Sequence, residues 1–180
     1  TGKMMGKMPP HLGHLSAVRC CAVSQDNNIF CTGGDDNFVR VWDKRSNMLV
    51  RKLISHSEPI LTVQFGVDGG TILSGGLDQS VRLWDMTGSL INVWEINTAA
   101  VTSVAFSPSG RHIITGSRDM SVVLFSNLTL KEVGRWMCES ACQCVAASCR
   151  NGGVIAAGDC AGTSYVLQSI LAPAAEWRHF

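Results

Sequence analysis

Any chemistry in this chain has to come from its histidines, carboxylates, hydroxyls and eight cysteines. His14, Thr32 and Asp36 supply the residue types of a nucleophilic triad, and His56, Ser74 and Asp78 supply them a second time. Catalysis needs one site, so a set that recurs along the chain points to structure instead. Five cysteines, Cys138, Cys142, Cys144, Cys149 and Cys160, crowd into one stretch. Zinc sites present cysteine pairs roughly two to four residues apart with a second pair further on. This cluster lacks that form and has no nearby histidine, so no metal site and no cofactor is expected. Small strand cysteines buried in a core are expected there instead. Without a secretory context, free thiols in a reducing compartment are the simpler reading. The pairs Gly33-Gly34 and Gly75-Gly76 lack the Lys-Ser/Thr of a phosphate loop and precede strands, not helices. His11, His112 and His179 have no carboxylate or cysteine at a useful spacing and read as surface positions. The sequon Asn127-Leu128-Thr129 reads as incidental.

The residues that recur lie inside a larger repeat. Thr32–Asp43 (TGGDDNFVRVWD) returns as Ser74–Asp85 (SGGLDQSVRLWD), with Trp42 and Trp84 separated by 42 residues. Thr115–Ser126 (TGSRDMSVVLFS) follows 41 residues on, with Phe125 in the place of tryptophan. A fourth copy placed 41 residues further is worn, with Ala156, Cys160 and Val166 in place of Thr115, Asp119 and Phe125. A second strip, CAVS, VQFG, VAFS and VAAS, precedes each copy in fixed phase from Cys21, Val63, Val104 and Val145.

The elements that carry these strips are short strands. In the second unit, Ile60–Phe65, Thr71–Ser74, Val81–Trp84 and Ser89–Glu95 have β-favouring alternation. Turn residues separate them, as do Asp26-Asn27-Asn28, Pro108-Ser109-Gly110 and Asn151-Gly152-Gly153 elsewhere. Four strands per unit of about 40 to 45 residues ending in Trp-Asp predict an all-β propeller of four-stranded blades.

With Gly13-His14 and Trp42-Asp43 bounding the first unit, and Ser55-His56 and Trp84-Asp85 the second, the chain resembles the WD-repeat (β-transducin) family. The resemblance covers Gly13 to Leu167. It divides the chain into a segment 1–12, repeats at 13–54, 55–96, 97–137 and 138–167, and a tail 168–180. It implies that in each blade a His before the first strand, a Ser or Thr in the second strand, an Asp in the next turn and a Trp in the third strand bond in series. The matching residues are His14, Thr32, Asp36 and Trp42, then His56, Ser74, Asp78 and Trp84. The third repeat keeps Thr115 and Asp119 but has Asn97 and Phe125, and the fourth has Cys138, Ala156, Cys160 and Val166. A series ending on an indole donor fixes packing and has no role in acyl transfer.

The resemblance also places a partner-binding surface at the narrow end of the propeller. Leu15 and Ala17, Ser57 and Pro59, and Thr98 and Ala100 precede the first strands, and Asp35, Leu77 and Arg118 come from the turns. Leu77 between the charges of Asp35 and Arg118 reads as an apolar anchor. Separately, Trp42-Asp43-Lys44-Arg45 resembles the box by which some WD-repeat proteins dock on a cullin-type ligase adaptor, with Trp42, Asp43 and Arg45 as its members. Ala157–Gln168 (AGDCAGTSYVLQ) resembles the last blade in sensor regions of signalling ATPases.

Composition bounds the rest. Fifteen Lys and Arg against fourteen Asp and Glu give a net +1, so nothing advertises nucleic acid. Charged residues are 16% and apolar ones 46%, which excludes a disordered chain. No apolar run is long enough to cross a membrane, and no signal peptide is present. The function expected is a non-catalytic scaffold for protein partners, in the cytoplasm or alternatively the nucleus. Regulatory region of a signalling ATPase and substrate receptor of a ubiquitin ligase are the alternatives. The chain starts at Thr1, not Met, and propellers hold about four to eight blades. About four WD blades therefore predict a partial ring, completed by missing sequence or another chain, with the apolar tail of Trp177 and Phe180 as a cover for one open face.

Overall fold

The computed structural model describes residues 12–95, 97–148 and 154–168, so His11, Cys149, His179 and the covering tail lie outside the described residues. The described residues are all strand and turn, with no helix long and apolar enough to cross a membrane. Among the described residues fifteen strands form four antiparallel sheets, each a meander in chain order. The first holds β1 (Val18–Val23), β2 (Ile29–Gly34), β3 (Phe38–Asp43) and β4 (Met48–Ile54). The second holds β5 (Ile60–Phe65), β6 (Thr71–Gly76), β7 (Val81–Asp85) and β8 (Leu90–Trp94). The third holds β9 (Val101–Phe106), β10 (His112–Ser117), β11 (Ser121–Ser126) and β12 (Glu132–Met137). The fourth has three strands among the described residues, β13 (Cys142–Ala147), β14 (Val154–Asp159) and β15 (Ser164–Gln168).

The sheets stack face to face in chain order, and apolar residues on alternating strand positions meet at three junctions. Val39, Val41 and Leu53 face Ile60, Phe65, Ile72 and Trp84 at the first. Leu73, Val81 and Leu83 face Val101, Phe106, Ile113 and Phe125 at the second. Ile114, Val122 and Leu124 face Cys142, Ile155 and Ala157 at the third. None of these cores joins the fourth sheet to the first, so the described sheets form an open, incomplete propeller.

Each sheet carries the same two backbone devices. A register shift interrupts the pairing of its first two strands, at Val18/Cys20, Ile60/Thr62, Gly116/Ser117 and Cys142/Cys144. The turn into its third strand closes on a left-handed residue, Asn37, Gln79, Met120 and Gly162, with φ from 64° to 89°.

These devices correct the placement of the fourth repeat. Ser107 N–H donates to His112 O, five residues on, but Ser148 N–H donates to Val154 O, six on. One extra residue between β13 and β14 therefore shifts β14 and β15 to an offset of 42. Strand pairing puts Ala157 where Thr115 stands and Leu167 where Phe125 stands, not Ala156 and Val166. Cys160 accordingly matches Arg118, and Ala161 matches Asp119.

Candidate functional site

A loop precedes every first strand, and in the first two sheets a buried side-chain network ties that loop to its sheet. In the first sheet His14 lies 2.7 Å from both Asp36 and Thr32, and Trp42 Nε1–H donates to Thr32 at 2.9 Å. In the second, His56 lies 2.8 Å from both Asp78 and Ser74, and Trp84 Nε1–H donates to Ser74 at 2.9 Å. The aspartates also accept backbone N–H bonds from Leu15 and Ser57. Cations not anticipated from the sequence close both networks. Arg40 bonds Asp36 at 2.6 Å, and Arg82 bonds Asp78 at 3.2 Å while donating to Ser55. The sequence carries a signal for them, because Arg stands two residues before each Trp.

Donor bookkeeping fixes the protonation of the second network. The indole spends its N–H on Ser74, whose hydroxyl proton goes to His56 Nε2, leaving His56 Nδ1–H to donate to Asp78. A neutral imidazole satisfies every partner. Burial lowers the His56 value below 6.5, outweighing the pull of Asp78. Burial alone would raise Asp78, but the bonds from His56 and Ser80 hold it well below the ordinary 3.8. Asp36 is likewise lowered, the bonds from His14 and Arg40 overriding its burial.

Both shifts in the second network are depressions, so the unfolded chain takes up protons first. The His56 contribution is complete above pH 6.5 and is lost as pH falls below it. The Asp78 contribution is complete above 3.8 and is lost only on further acidification. Melting temperature is expected to fall on acidification through 6.5, and His56→Gln to flatten that limb. His112, also lowered by burial, contributes with the same sign, so the difference between wild type and variant is the readout. A variant with an unchanged limb would show that His56 is not its source.

As chemistry, the network offers little. Ser74 is 0% exposed and already shared between indole and imidazole, so its hydroxyl meets no substrate.

In the third sheet the expected residues are not brought together. Asn97 and Thr115 are buried with no hydrogen-bond partner among the described residues. Asn97 is shorter than histidine and Phe125 has no N–H to give. Asp119 instead serves Thr98 N–H and the Ser121 hydroxyl, at 2.9 and 2.5 Å. In the fourth sheet, Tyr165 takes over the latch. Its hydroxyl accepts from Glu139 N–H at 2.7 Å and donates to Asp159 at 2.9 Å.

Above these networks, one backbone bond recurs in all four sheets. Asp35, Leu77, Arg118 and Cys160 N–H donate to the carbonyls of Ala17, Pro59, Ala100 and Ala141. It places one turn side chain per sheet at the end where the first strands begin. Leu77, Arg118 and Cys160 are exposed there, as are Leu15, Ala17, Ser57 and Thr98, while Pro59 is half-buried. Two expectations need correction. Ala100 is buried, next to Val101, which enters the Gly75 notch of the second sheet. Asp35 is no free charge, since Arg19 forms a two-pronged ion pair with it at 2.7 Å. Cys160 is the member that sequence reading missed. Aligning Gly158 with Gly116 instead of counting 41 residues finds it.

Of the adaptor-like box, Trp42 is buried in its network and the Asp43 carboxylate is occupied by Ser46. Arg45 is exposed in the β3–β4 turn. The expectation of buried cysteines in the cluster fits Cys138 and Cys142, but Cys144 and Cys160 are exposed; of the other described cysteines Cys31 is buried and Cys21 exposed.

Residues 6–43, 47–85 and 88–126 each match the WD domain, G-beta repeat. The chain belongs to the WD-repeat family. The last two matched segments each start in or beside the outer strand of one sheet and run through three strands of the next, so the sequence unit laces neighbouring sheets together. Among proteins similar to this chain is the U3 small nucleolar RNA-associated protein 15 homolog of Xenopus laevis, 31% identical over 67% of this chain and 24% of that protein. The Bos taurus homolog is 32% identical over 67% and 23%. Actin-interacting protein 1 of Caenorhabditis elegans is 30% identical over 59% and 18%. The chain thus spans about a quarter of the length of the first two relatives.

Proposed function

We propose that this chain is part of a non-catalytic WD-repeat scaffold that holds protein partners at the end where its first strands begin. The carrying observation is the backbone bond repeated in four sheets, which sets Asp35, Leu77, Arg118 and Cys160 at one position per blade. Leu77 is an exposed apolar side chain at a turn position that carries Asp35 and Arg118 in the neighbouring sheets, the composition of a small anchor with polar neighbours. The names of the relatives support a setting in a particle associated with a small nucleolar RNA, hence the nuclear alternative, and give the cytoplasmic one no support. Within such a particle a protein contact is favoured over RNA, because the chain carries only +1 net charge and Arg19 is spent on Asp35. Leu77→Asp and Arg118→Glu are expected to weaken a partner captured from nuclear extract about tenfold, with melting temperature unchanged. A partner retained undiminished by both variants would move the site to the rim.

A further inference from the structure

The turn that joins the first two strands has one conformation in the first three sheets. Ser24, Gly66 and Ser107 N–H each donate to the carbonyl five residues on, and Asn27, Gly69 and Gly110 N–H donate back to their carbonyls. Asn27, Gly69 and Gly110 are left-handed, with φ of 56°, 67° and 69°. The residue just before each of them is therefore one structural position, held by Asp26, Asp68 and Ser109. Two sheets place a carboxylate there, and the third places a hydroxyl.

The hydroxyl keeps the carboxylate's bonds but reaches them poorly. Asp26 Oδ1 accepts from the Ser24 hydroxyl at 2.5 Å and from Asn28 N–H at 3.1 Å, and Asp68 Oδ1 accepts from Gly70 N–H at 2.9 Å. Ser109 Oγ lies 3.2 Å from the Ser107 hydroxyl and 3.4 Å from Arg111 N–H. A carboxylate oxygen stands one bond further from Cβ than a hydroxyl oxygen, so the serine falls short. Phosphoryl oxygens carried on Oγ stand further out still and are strong acceptors. A cation is in place for them. Arg111 is exposed, two residues after Ser109, and its guanidinium enters no ion pair among the described residues. Ser109 is itself exposed, whereas the Ser107 oxygen is already held by His112 N–H at 2.9 Å.

We propose that Ser109 is a phosphorylation site, with ATP as the donor and a serine kinase that selects a basic residue after its target. The Ser109 oxygen bonds to the γ-phosphorus, the bond from that phosphorus to the ADP oxygen breaks, and the hydroxyl proton passes to the kinase base. The phosphate then accepts from the Ser107 hydroxyl, Arg111 N–H and the Arg111 guanidinium, the last two within one residue pair of the modified oxygen.

Modification puts an anion at this corner in all three sheets. The third then carries the strongest one, since a phosphate bears a charge of about −1.5 to −2. Asp68 and Ser109 line one cleft between the second and third sheets. That cleft lies at the opposite end of the strands from Leu77 and Arg118, so the phosphate leaves the proposed partner surface clear.

Fragmentation mass spectrometry of the protein from growing cells, lysed with phosphatase inhibitors, should find phosphate on Ser109. The purified 180-residue chain, given ATP and the catalytic domain of protein kinase C, should take up phosphate at the same residue. Ser109→Ala should lose that uptake. Ser107→Ala, at a place that Gly66 fills in the second sheet, should keep it. With phosphoserine encoded at position 109, phosphorus NMR should place the second phosphate ionisation below its ordinary value of about 6, and Arg111→Gln should raise it. Phosphate on Ser107 in place of Ser109 overturns the proposal. So does a Ser109 that stays unmodified in the cell although the purified kinase marks it. A phosphate that titrates alike with and without Arg111 overturns the pairing on which the site is built.

Discussion

Asp78→Ala is expected to cost about 3–5 kcal/mol of folding stability, the range for removing one partner of a buried ion pair. The carboxylate receives His56, Arg82, Ser80 and the Ser57 N–H. Its loss leaves the Arg82 guanidinium without its counter-charge, although Arg82 is only 8% exposed. It also leaves the imidazole with an unspent N–H, and it frees the loop that carries Ser57. Asp119→Ala makes the useful comparison. Asp119 binds backbone and hydroxyl donors but no cation, so its removal should cost about 1 kcal/mol, the net worth of ordinary hydrogen bonds. Urea denaturation of both variants measures the difference. Equal losses would mean that the cation in the second sheet adds nothing and that the aspartates act only as loop ties.

The sheets are legible in the sequence because the strips that form first and third strands repeat in phase, and strand pairing is local. Cys21–Ser24 and Val63–Gly66 look alike and sit alike, each edging the register shift of its sheet. What a residue faces across a junction is not legible. Ala17 and Ala100 hold the same repeat position, yet Ala17, with no described sheet before it, is exposed and Ala100 is buried. Periodicity says which side a residue points to and is silent on whether another sheet is there. The same gap hides Cys21 and Val166, whose counterparts Val63, Val104 and Leu124 are buried at internal junctions. Asp35 reads as a free charge in the sequence because its partner Arg19 lies sixteen residues back in another strand. The slip in the fourth copy has a different origin. That copy has no His, Trp or turn Asp to anchor an alignment, so a count of residues misses the one added in a turn.

The third sheet shows what the network is worth by lacking it. Thr115 occupies the place of Ser74, and Asp119 that of Asp78. Asp119 accepts from Thr98 N–H just as Asp78 accepts from Ser57 N–H. The pieces on both sides of the missing ring are therefore already positioned. Asn97 cannot bridge them, so its amide and the Thr115 hydroxyl are buried without partners among the described residues. An unsatisfied buried polar group costs about 1–3 kcal/mol. Asn97→His should recover part of that cost, raising stability by about 1–2 kcal/mol, with the new imidazole Nδ1–H donating to Asp119 and Thr115 donating to Nε2. Adding Phe125→Trp should give a further gain only in the Asn97→His background, because the indole N–H then meets a hydroxyl whose own proton is already placed. Thr115→Val, which removes the orphaned hydroxyl at nearly constant shape, should be neutral or stabilising in the wild-type background. In the Asn97→His background it should be destabilising. That change of sign is the signature of a rebuilt network, and denaturant melts of the wild type, the two single variants and the double variant read it directly. A Thr115→Val effect that is the same in both backgrounds would show that the introduced imidazole fills space without completing the series.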